Sequence, residues 1–311
     1  MMNDRRNQVD VLCVGHASFD LTLAVPQHPG PDEKCVAASL IGSGGGPAAN
    51  AAVAVARLGY RAAFAGYLGR DAWGDQHVLE LIQAGVLTDL IARDSAPTPL
   101  SVVLVKPDGK RSLVNYRGRT APLPADRIDF SNTVPKVILF DGHEPLLSVP
   151  LAGMARDNGI KTVLDAGSVH PGTRALAGRV DYLICSEKFA REFTGVGDAD
   201  QALAQLFESQ LAVVVTLGEN GLIWKTAHGT GRLPAFKVEV VDSTGAGDAF
   251  HGAFAACLAA GRAWEETLRY ASAVAALCCT QRGARPGIPT RQQVDEFLEA
   301  RPEQAALQRQ A

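Results

Sequence analysis

The residues with the strongest claim to chemistry stand in one string, Val241-Asp-Ser-Thr-Gly-Ala-Gly-Asp-Ala-Phe-His-Gly-Ala-Phe254. Asp-Ser-Thr-Gly is turn and N-cap chemistry after a β-branched run, Phe236 to Val241. Phe250, Phe254, Cys257 and Leu258 then recur at helical spacing. Gly245, Ala246 and Gly247 therefore open a helix with small side chains and unpaired amides. Donors and helix dipole point the same way there, so the terminus attracts an anion. Asp248 follows in the first turn, beside wherever that anion lies. An acidic residue suits any first turn, and a glycine pair can serve packing alone. The bare Gly-x-Gly-Asp thus decides little, and the length of the string decides more.

Three other stretches carry polar or glycine-rich chemistry. Asp20 follows a short apolar strand, Val9 to Val14, at the kind of strand end where open α/β sheets collect ligands. A solvated loop aspartate reads equally well from position alone. Thr216-Leu-Gly-Glu-Asn-Gly221 closes a buried strand with a glycine-rich turn. Gly42-Ser-Gly-Gly-Gly-Pro-Ala-Ala-Asn50 leads into an Ala-rich helix that stops at Gly59. Within it, Gly44-x-Gly46-x-x-Ala49 matches the dinucleotide fingerprint of a dehydrogenase. Two features oppose that reading. The next strand, Ala62 to Gly66, ends without an acidic residue for a ribose hydroxyl, and Pro47 lacks an N–H that a pyrophosphate would use.

These residues need elements to hold them. Apolar strands are expected at Val137–Phe140, Thr162–Asp165, Tyr182–Cys185 and Ala212–Thr216. Helices are expected at His77–Ala84, Ser148–Asp157, Glu187–Thr194, Ala199–Gln210, Gly245–Ala260 and Trp264–Thr280. Strands that are apolar throughout and spaced by helices mean an α/β protein with a doubly wound, mostly parallel sheet. Two strand pairs break the alternation. Leu21–Val25 precedes Val36–Ile41, and Pro99–Lys106 is joined to Arg111–Tyr116 by Pro107-Asp-Gly-Lys110, a hairpin signal. They read together as a small β-sheet over one end of the main sheet. No linker or repeat divides the chain, so 1–311 is expected to be one domain.

Composition bounds the function. The 311 residues are 47% hydrophobic and 20% charged with a net charge of −3, as in ordinary soluble globular proteins. The absence of a basic block argues against a nucleic-acid partner, and no apolar run approaches the ~20 residues of a membrane span. Met1 to Gln8 carries charge without a signal-type sequence behind it, which makes the cytoplasm the default. Cys13, Cys35, Cys185, Cys257, Cys278 and Cys279 lie in apolar segments without Cys-x-x-Cys spacing. They read as small buried hydrophobes in a reducing compartment.

Asp242-Ser-Thr-Gly-Ala-Gly-Asp-Ala-Phe250 closely resembles the C-terminal signature of the ribokinase-like (PfkB-type) carbohydrate kinases. Gly45-Gly-x-x-x-Asn50, with its Ala-rich helix and Leu58-Gly59, resembles the first signature, and Gly69-Arg-Asp-Ala-Trp-Gly74 a turn of the same family. The resemblance implies a ribokinase-like fold whose small sheet, about 20–43 and 98–118, is a lid. It implies ATP and magnesium, and leaves a monovalent cation open. The amides of Gly245, Ala246 and Gly247 become an anion hole for the γ-phosphate, and Asp248 the base that takes the hydroxyl proton. Asp20, Gly45, Gly46 and Asn50 would hold the sugar. Thr216, Gly218, Gly221 and Thr244 would lie beside the nucleotide, and Ser272 beside adenine. Where the family carries Asn-x-x-Glu, this chain reads Ser186-Glu-Lys-Phe189. Ser186 can still donate a hydrogen bond to the nucleotide, and Glu187 can still reach magnesium through water.

The wording of Glu33-Lys-Cys-Val36, Gly44-Gly-Gly-Pro-Ala-Ala49 and Gly283-Ala-Arg-Pro-Gly-Ile-Pro289 resembles bacterial sulfofructose kinases more than ribokinases. That implies a sulfonate held by Lys34 and Asn115, with His143 standing where relatives carry an arginine and with Arg111, Arg117 or Arg119 nearby. A neutral ketose, as in ketohexokinases, is the alternative. A silent sugar-binding protein is a third reading. The resemblance also implies a homodimer joined through the lids.

Overall fold

The computed structural model describes residues 8–107, 111–207, 210–302, 304 and 308–310. In chain order, β1 (Gln8–Gly15), β2 (Ser18–Ala24) and β3 (Ser39–Gly45) precede α1 (Pro47–Arg57) and β4 (Ala62–Tyr67). Next come α2 (Ala72–Gln83), β5 (Ile91–Ala92), β6 (Leu100–Val105), β7 (Arg111–Tyr116), β8 (Val134–Phe140) and α3 (Pro145–Asp157). β9 (Lys161–Ala166), α4 (Pro171–Ala177), β10 (Tyr182–Ser186), α5 (Glu187–Thr194), α6 (Ala199–Leu206) and β11 (Ala212–Thr216) continue the alternation. β12 (Leu222–Thr226), β13 (Gly229–Leu233), α7 (Ala246–Ala259), α8 (Trp264–Cys278), α9 (Ala284–Gly287), α10 (Arg291–Glu299) and β14 (Gln308–Gln310) complete it.

Ten strands form one sheet in the order β14-β13-β12-β11-β10-β9-β8-β1-β4-β5. It is parallel from β5 to β11 and antiparallel from β12 onward. Its strands are apolar because both faces are covered. Ala-rich α1 with α7, α8 and α10 packs on one face, and α3 to α6 on the other. Each face excludes water from its own cluster, which is the main stabilising term. The four-stranded small sheet, in the order β3-β2-β6-β7, pairs β2 with β6 in parallel and the outer strands antiparallel.

Two crossings decide where chemistry can gather. A Cβ at Gly252 would come within 2.5 Å of the Ala51 carbonyl oxygen, so α7 and α1 touch backbone to backbone there. One turn earlier on α7 stands Asp248, which thereby faces Asn50. At Gly15, φ is +152° and a Cβ would overlap Asp141 Oδ1 at 1.9 Å. That space lets Asp141 accept from the amides of His16 (2.7 Å), His143 (2.8 Å) and Ala48 (3.2 Å), so it supplies the side-chain acceptor that the N-cap Gly46 of α1 lacks.

Several boundaries differ from the sequence expectation. The second strand of the small sheet runs over Ser39–Gly45 rather than Val36–Ile41, so the glycine run is itself strand. Pairing with β2 holds those glycines extended despite their poor strand propensity. The dinucleotide-like Gly44 therefore belongs to the small sheet and not to a strand of the parallel sheet. Helix α2 begins at Ala72, one turn before His77, because Asp71 caps it through Gly74 N at 2.8 Å. Phe236 to Val241 has no strand assignment. The hairpin turn at Asp108 to Lys110 lies outside the described residues, as do residues 208 and 209 of the expected helix to Gln210. Cys13, Cys185, Cys257 and Cys278 are buried, Cys35 and Cys279 are half-buried, and all six thiols are free. Among the described residues no helix is long and apolar enough to cross a membrane.

Candidate active site

Parallel strands bring their C-terminal ends to one edge. Along it stand Asp165 in β9, Ser186 at the end of β10 and Thr216 at the end of β11, with Asp141 just after β8. The small sheet overhangs the β1 and β8 end. Between them lies a cleft of about 290 Å³ lined by Asp20, Asn50, Asn115, Arg117, His143 and Asp248, with Gly46 and Thr244 also on its wall. A larger hollow of about 540 Å³, bordered by Arg57, Pro286 and Phe297, contains none of these groups.

Asp248 lies in the first turn of α7, after Gly245 in the left-handed region at φ 77°. A Cβ at Gly245 would meet Ala284 Cβ at 2.5 Å, whereas Gly247 opens onto empty space. The turn can thus accept a tetrahedral anion at Gly247 but not a side chain at Gly245. Ala246 N–H is occupied by Ser243 O at 3.3 Å. The amides of Gly247 and Asp248 follow, where helix geometry supplies no acceptor. Asp248 Oδ2 accepts from Asn50 Nδ2 at 2.8 Å. Although the residue is partly open to the cleft, protein surrounds its carboxyl. Burial and then the charge of Asp165 push Asp248 up to about 7, against the lowering pull of Asn50. A carboxylate so placed can exchange a proton near neutrality. Behind it, His251 Nδ1 lies 3.3 Å from Asp165 Oδ2, and burial holds the imidazole below its usual value.

Asn50 bonds Asp248 directly, a contact beyond the sugar contact expected from sequence. Its Oδ1 accepts from Arg285 Nε at 3.3 Å, and Arg285 Nη1 pairs with Glu80 Oε2 at 2.9 Å. Glu80 Oε2 also accepts from Gly44 N at 2.7 Å, which ties the small sheet to this network. Gly44 and Gly45 leave the necessary room: a Cβ on Gly44 would overlap Arg285 Nη1, and one on Gly45 would overlap Asp20 Oδ2, each at 2.1 Å. Asp20 Oδ1 accepts from Ser18 Oγ at 2.9 Å, and burial raises its pKa against the lowering effects of Ser18, Ser101 and Arg285.

The roof of the cleft is basic and aromatic. His143 stacks on His170 with centroids 4.5 Å apart and lies 5.3 Å from His16. Burial and the neighbouring His143 hold His16 down to about 4. Arg111 reaches from β7 to the Thr244 hydroxyl, which donates to Asp242 Oδ1 at 2.6 Å. Thr244 therefore stands at the cleft wall between the small sheet and α7.

The expected nucleotide residues gather farther along the edge. Ser186 and Thr216 are register partners. Ser186 Oγ donates to Gly167 O at 2.9 Å and accepts from Phe189 N at 3.0 Å, so it caps α5. Gly218 (φ 59°) and Gly221 (φ 87°) shape the turn after β11, and a Cβ on Gly221 would sit 2.0 Å from Leu233 O. Ser272 is half-buried on α8. Glu187 pairs with Arg191 at 2.6 Å. Phe189 is fully buried and stacks on Phe193, which explains why a carboxylate is absent there. No group of three or more His, Cys, Asp or Glu side chains among the described residues could hold a metal alone. Magnesium is compatible with that, because it commonly takes most of its ligands from phosphates and water.

Two of the expected sugar-end residues, Lys34 and Arg119, are not brought into the cleft wall. Lys34 is exposed in the connection from β2 to β3 and absent from the cleft wall, because the strand it was expected to precede starts later, at Ser39. Arg119 is exposed and likewise absent from that wall. Sequence reasoning missed Arg285, Glu80, His77, Asp141 and Asp165. The one available signal was an arginine inside the apolar Gly283-Ala-Arg-Pro-Gly-Ile288, since a buried charge requires partners.

A sequence model described as pfkB family carbohydrate kinase matches residues 8–291. The ribokinase of Haemophilus influenzae is 30% identical over 297 residues, covering 92% of this chain and 97% of that protein. Fructokinase-1 of Zea mays is 30% identical over 284 residues, 82% of this chain and 88% of that protein. The structure of Arabidopsis thaliana ribokinase complexed with ribose and ATP superposes with a TM-score of 0.83 at 28% identity, over 94% of this chain and 99% of that one.

Proposed function

The chain belongs to the pfkB family of carbohydrate kinases, as an ATP-dependent sugar kinase, and from that premise we propose that it phosphorylates a hydroxyl of a ketose or ketose derivative. The observation carrying this reading is the pairing of Asp248 with Asn50 on the floor of the cleft, with Asp20 in the same wall. Asp20 and the roof orient the sugar, Gly45 and Gly46 let it approach the backbone, and Asp248 takes the proton of the attacking hydroxyl. The amide of Gly247 faces the charge that grows on the γ-phosphate, joined by that of Gly245, whereas the expected Ala246 amide is held by Ser243 O at 3.3 Å and would have to leave it to take part. Bound magnesium would supply charge neutralisation for the triphosphate, and Glu187, which pairs with Arg191 at 2.6 Å, would be its outer partner through water. The small sheet acts as a lid, and its closure keeps water from competing as the acceptor. Free thiols and ATP dependence fit the cytoplasm.

A second reading, in which the sugar carries a sulfonate or phosphate, is favoured by the convergence of Arg117, Asn115 and His143 at one end of the cleft. Coupled ADP release with fructose, ribose, fructose 6-phosphate and sulfofructose tests both readings. Turnover confined to neutral sugars removes the second, and no turnover with any sugar overturns the kinase assignment for this panel. Away from the cleft wall, the lid also presents Leu40, Ile41 and Val114 to solvent. A homodimer through these faces would cover them. Sedimentation at micromolar protein should then exceed the 32.8 kDa monomer, and a monomer alone would refute it.

A further inference from the structure

Asn50 has two chemically different ends, and the end facing Asp248 decides what that carboxylate can do. An amide nitrogen donates to a carboxylate, whereas an amide oxygen repels it. The two ends are nearly equal in shape, so a neighbour must distinguish them. Arg285 is that neighbour. A guanidinium carries donors only, and Arg285 Nε reaches Asn50 Oδ1 at 3.3 Å. Nδ2 is then left for Asp248 Oδ2 at 2.8 Å. Arg285 is itself fixed, with its side chain 7% exposed, by Glu80 Oε2 at 2.9 Å. Its Nη2 also donates to His77 Nε2. Burial and the adjacent guanidinium keep that imidazole neutral and able to accept.

We infer that Arg285 is a positioning residue for the phosphoryl transfer. By allowing the Asn50 amide only one orientation, it keeps a donor on Oδ2 of Asp248 and leaves Oδ1 for the sugar hydroxyl. The inference rests on the reading of Asp248 as the base. Other charges surround the pair. Asp248 also faces Asp165 in β9, Asp141 after β8, His251 on its own helix and Cys278 from α8. Arg285 also faces Asp20 in β2 and Arg57 on α1. None replaces the amide. The carboxylates repel, and both ring nitrogens of His251 face the carbonyls of Gly247 and Ile184.

The test uses Arg285→Met and the double variant Arg285→Met/Glu80→Gln, which removes the carboxylate that the single change would orphan. In the folded double variant kcat should fall by about tenfold or more, and the acid limb of kcat/KM should move up by about one unit as Asp248 loses its donor. Arg285→Lys, with a donor-only head, should restore most of both. In an Asn50→Ala background, Arg285→Met should cost almost nothing further, because no amide remains to be oriented. A residue that only staples α9 to α1 and α2 would lower Tm and leave the acid limb in place. An unmoved limb in the folded double variant, or an undiminished loss in the Asn50→Ala background, overturns the inference. Asp248→Asn separates the two ideas. If it is inactive while the double variant behaves as the parent, only the role of Arg285 falls; if it turns over normally, the base assignment falls first.

Discussion

Under the small sheet, Asp248, Asn50, Arg285 and Glu80 come from four different helices and bond to one another through side chains. Farther along the same strand edge, Ser186 and Thr216 bond to the carbonyls of Gly167 and Cys185, and Glu187 bonds one helical turn away to Arg191. The proposed sugar side is thus a mutual network of side chains, while the proposed nucleotide side is shaped mainly by backbone. In a buried network each deletion also strands its neighbour, at about 1–3 kcal/mol for a neutral group and more for a charged one. Where backbone does the shaping, losing one side chain costs a single modest hydrogen bond. Mutational sensitivity should therefore be unequal along one strand edge.

The largest effect should come from Asp248→Asn. Removing a general base typically lowers kcat by about 10²–10⁴-fold. ATP affinity, measured by calorimetry, should stay within about threefold, because the amide contacts remain. Near-normal turnover would break the comparison at its centre. Asn50→Ala comes next. It removes a hydrogen bond to a charged group, about 1.5–3 kcal/mol, so kcat/KM for the sugar should fall about ten- to a hundredfold. If instead only KM for ATP changed, the network would belong to the other side.

The pH profile sharpens the same contrast. A base must be deprotonated to act, and burial with Asp165 nearby raises Asp248, the proposed base, to about 7. Turnover should therefore fall about tenfold per unit below that pH and level off above it. ATP binding should not follow this limb. A limb near 4 would mean that Asp248 titrates like a solvated carboxylate.

What could be read from sequence divides along the same line. Gly245 to Asp248 and Thr216 to Gly221 are local: a helix start and a turn fix their geometry within a few residues, so the string announces them. The alternating apolar strands gave the layers in the same way, and α5 begins and ends at the expected residues. Arg285 and Asn50 stand 235 positions apart, and Asp141 acts on His16 across 125. No local pattern encodes those meetings; they follow from where Gly252 lets two helices cross and where Gly15 admits a carboxylate. The displaced start of β3 has the same origin, since pairing with β2 overrides the poor strand propensity of its glycines.

On the nucleotide side, Ser186→Ala and Thr216→Ala should each raise KM for ATP by only about two- to tenfold, one ordinary hydrogen bond, and leave sugar KM unchanged. Ser186→Ala should also lower Tm by a few degrees, because it removes the α5 cap, worth about 1 kcal/mol. A hundredfold loss of turnover in either variant would show that these side chains act on the reacting phosphate and would erase the asymmetry.

The smallest effect expected is that of Lys34→Ala. Lys34 is exposed and stands outside the cleft wall, whereas Arg117 and Asn115 line it. A charge-assisted contact to a terminal sulfonate or phosphate contributes about 1.5–3 kcal/mol. If such a group is bound here, Arg117→Ala should lower kcat/KM for the charged sugar about ten- to a hundredfold and spare fructose. Lys34→Ala should change neither by more than about twofold, the usual cost of losing a solvated surface charge. The comparison requires both variants on fructose, fructose 6-phosphate and sulfofructose. A large, charge-selective loss in Lys34→Ala would mean that the β2–β3 connection folds over the cleft when a sugar is bound, and the sugar side would then owe its specificity to movement of the small sheet as well as to its buried network.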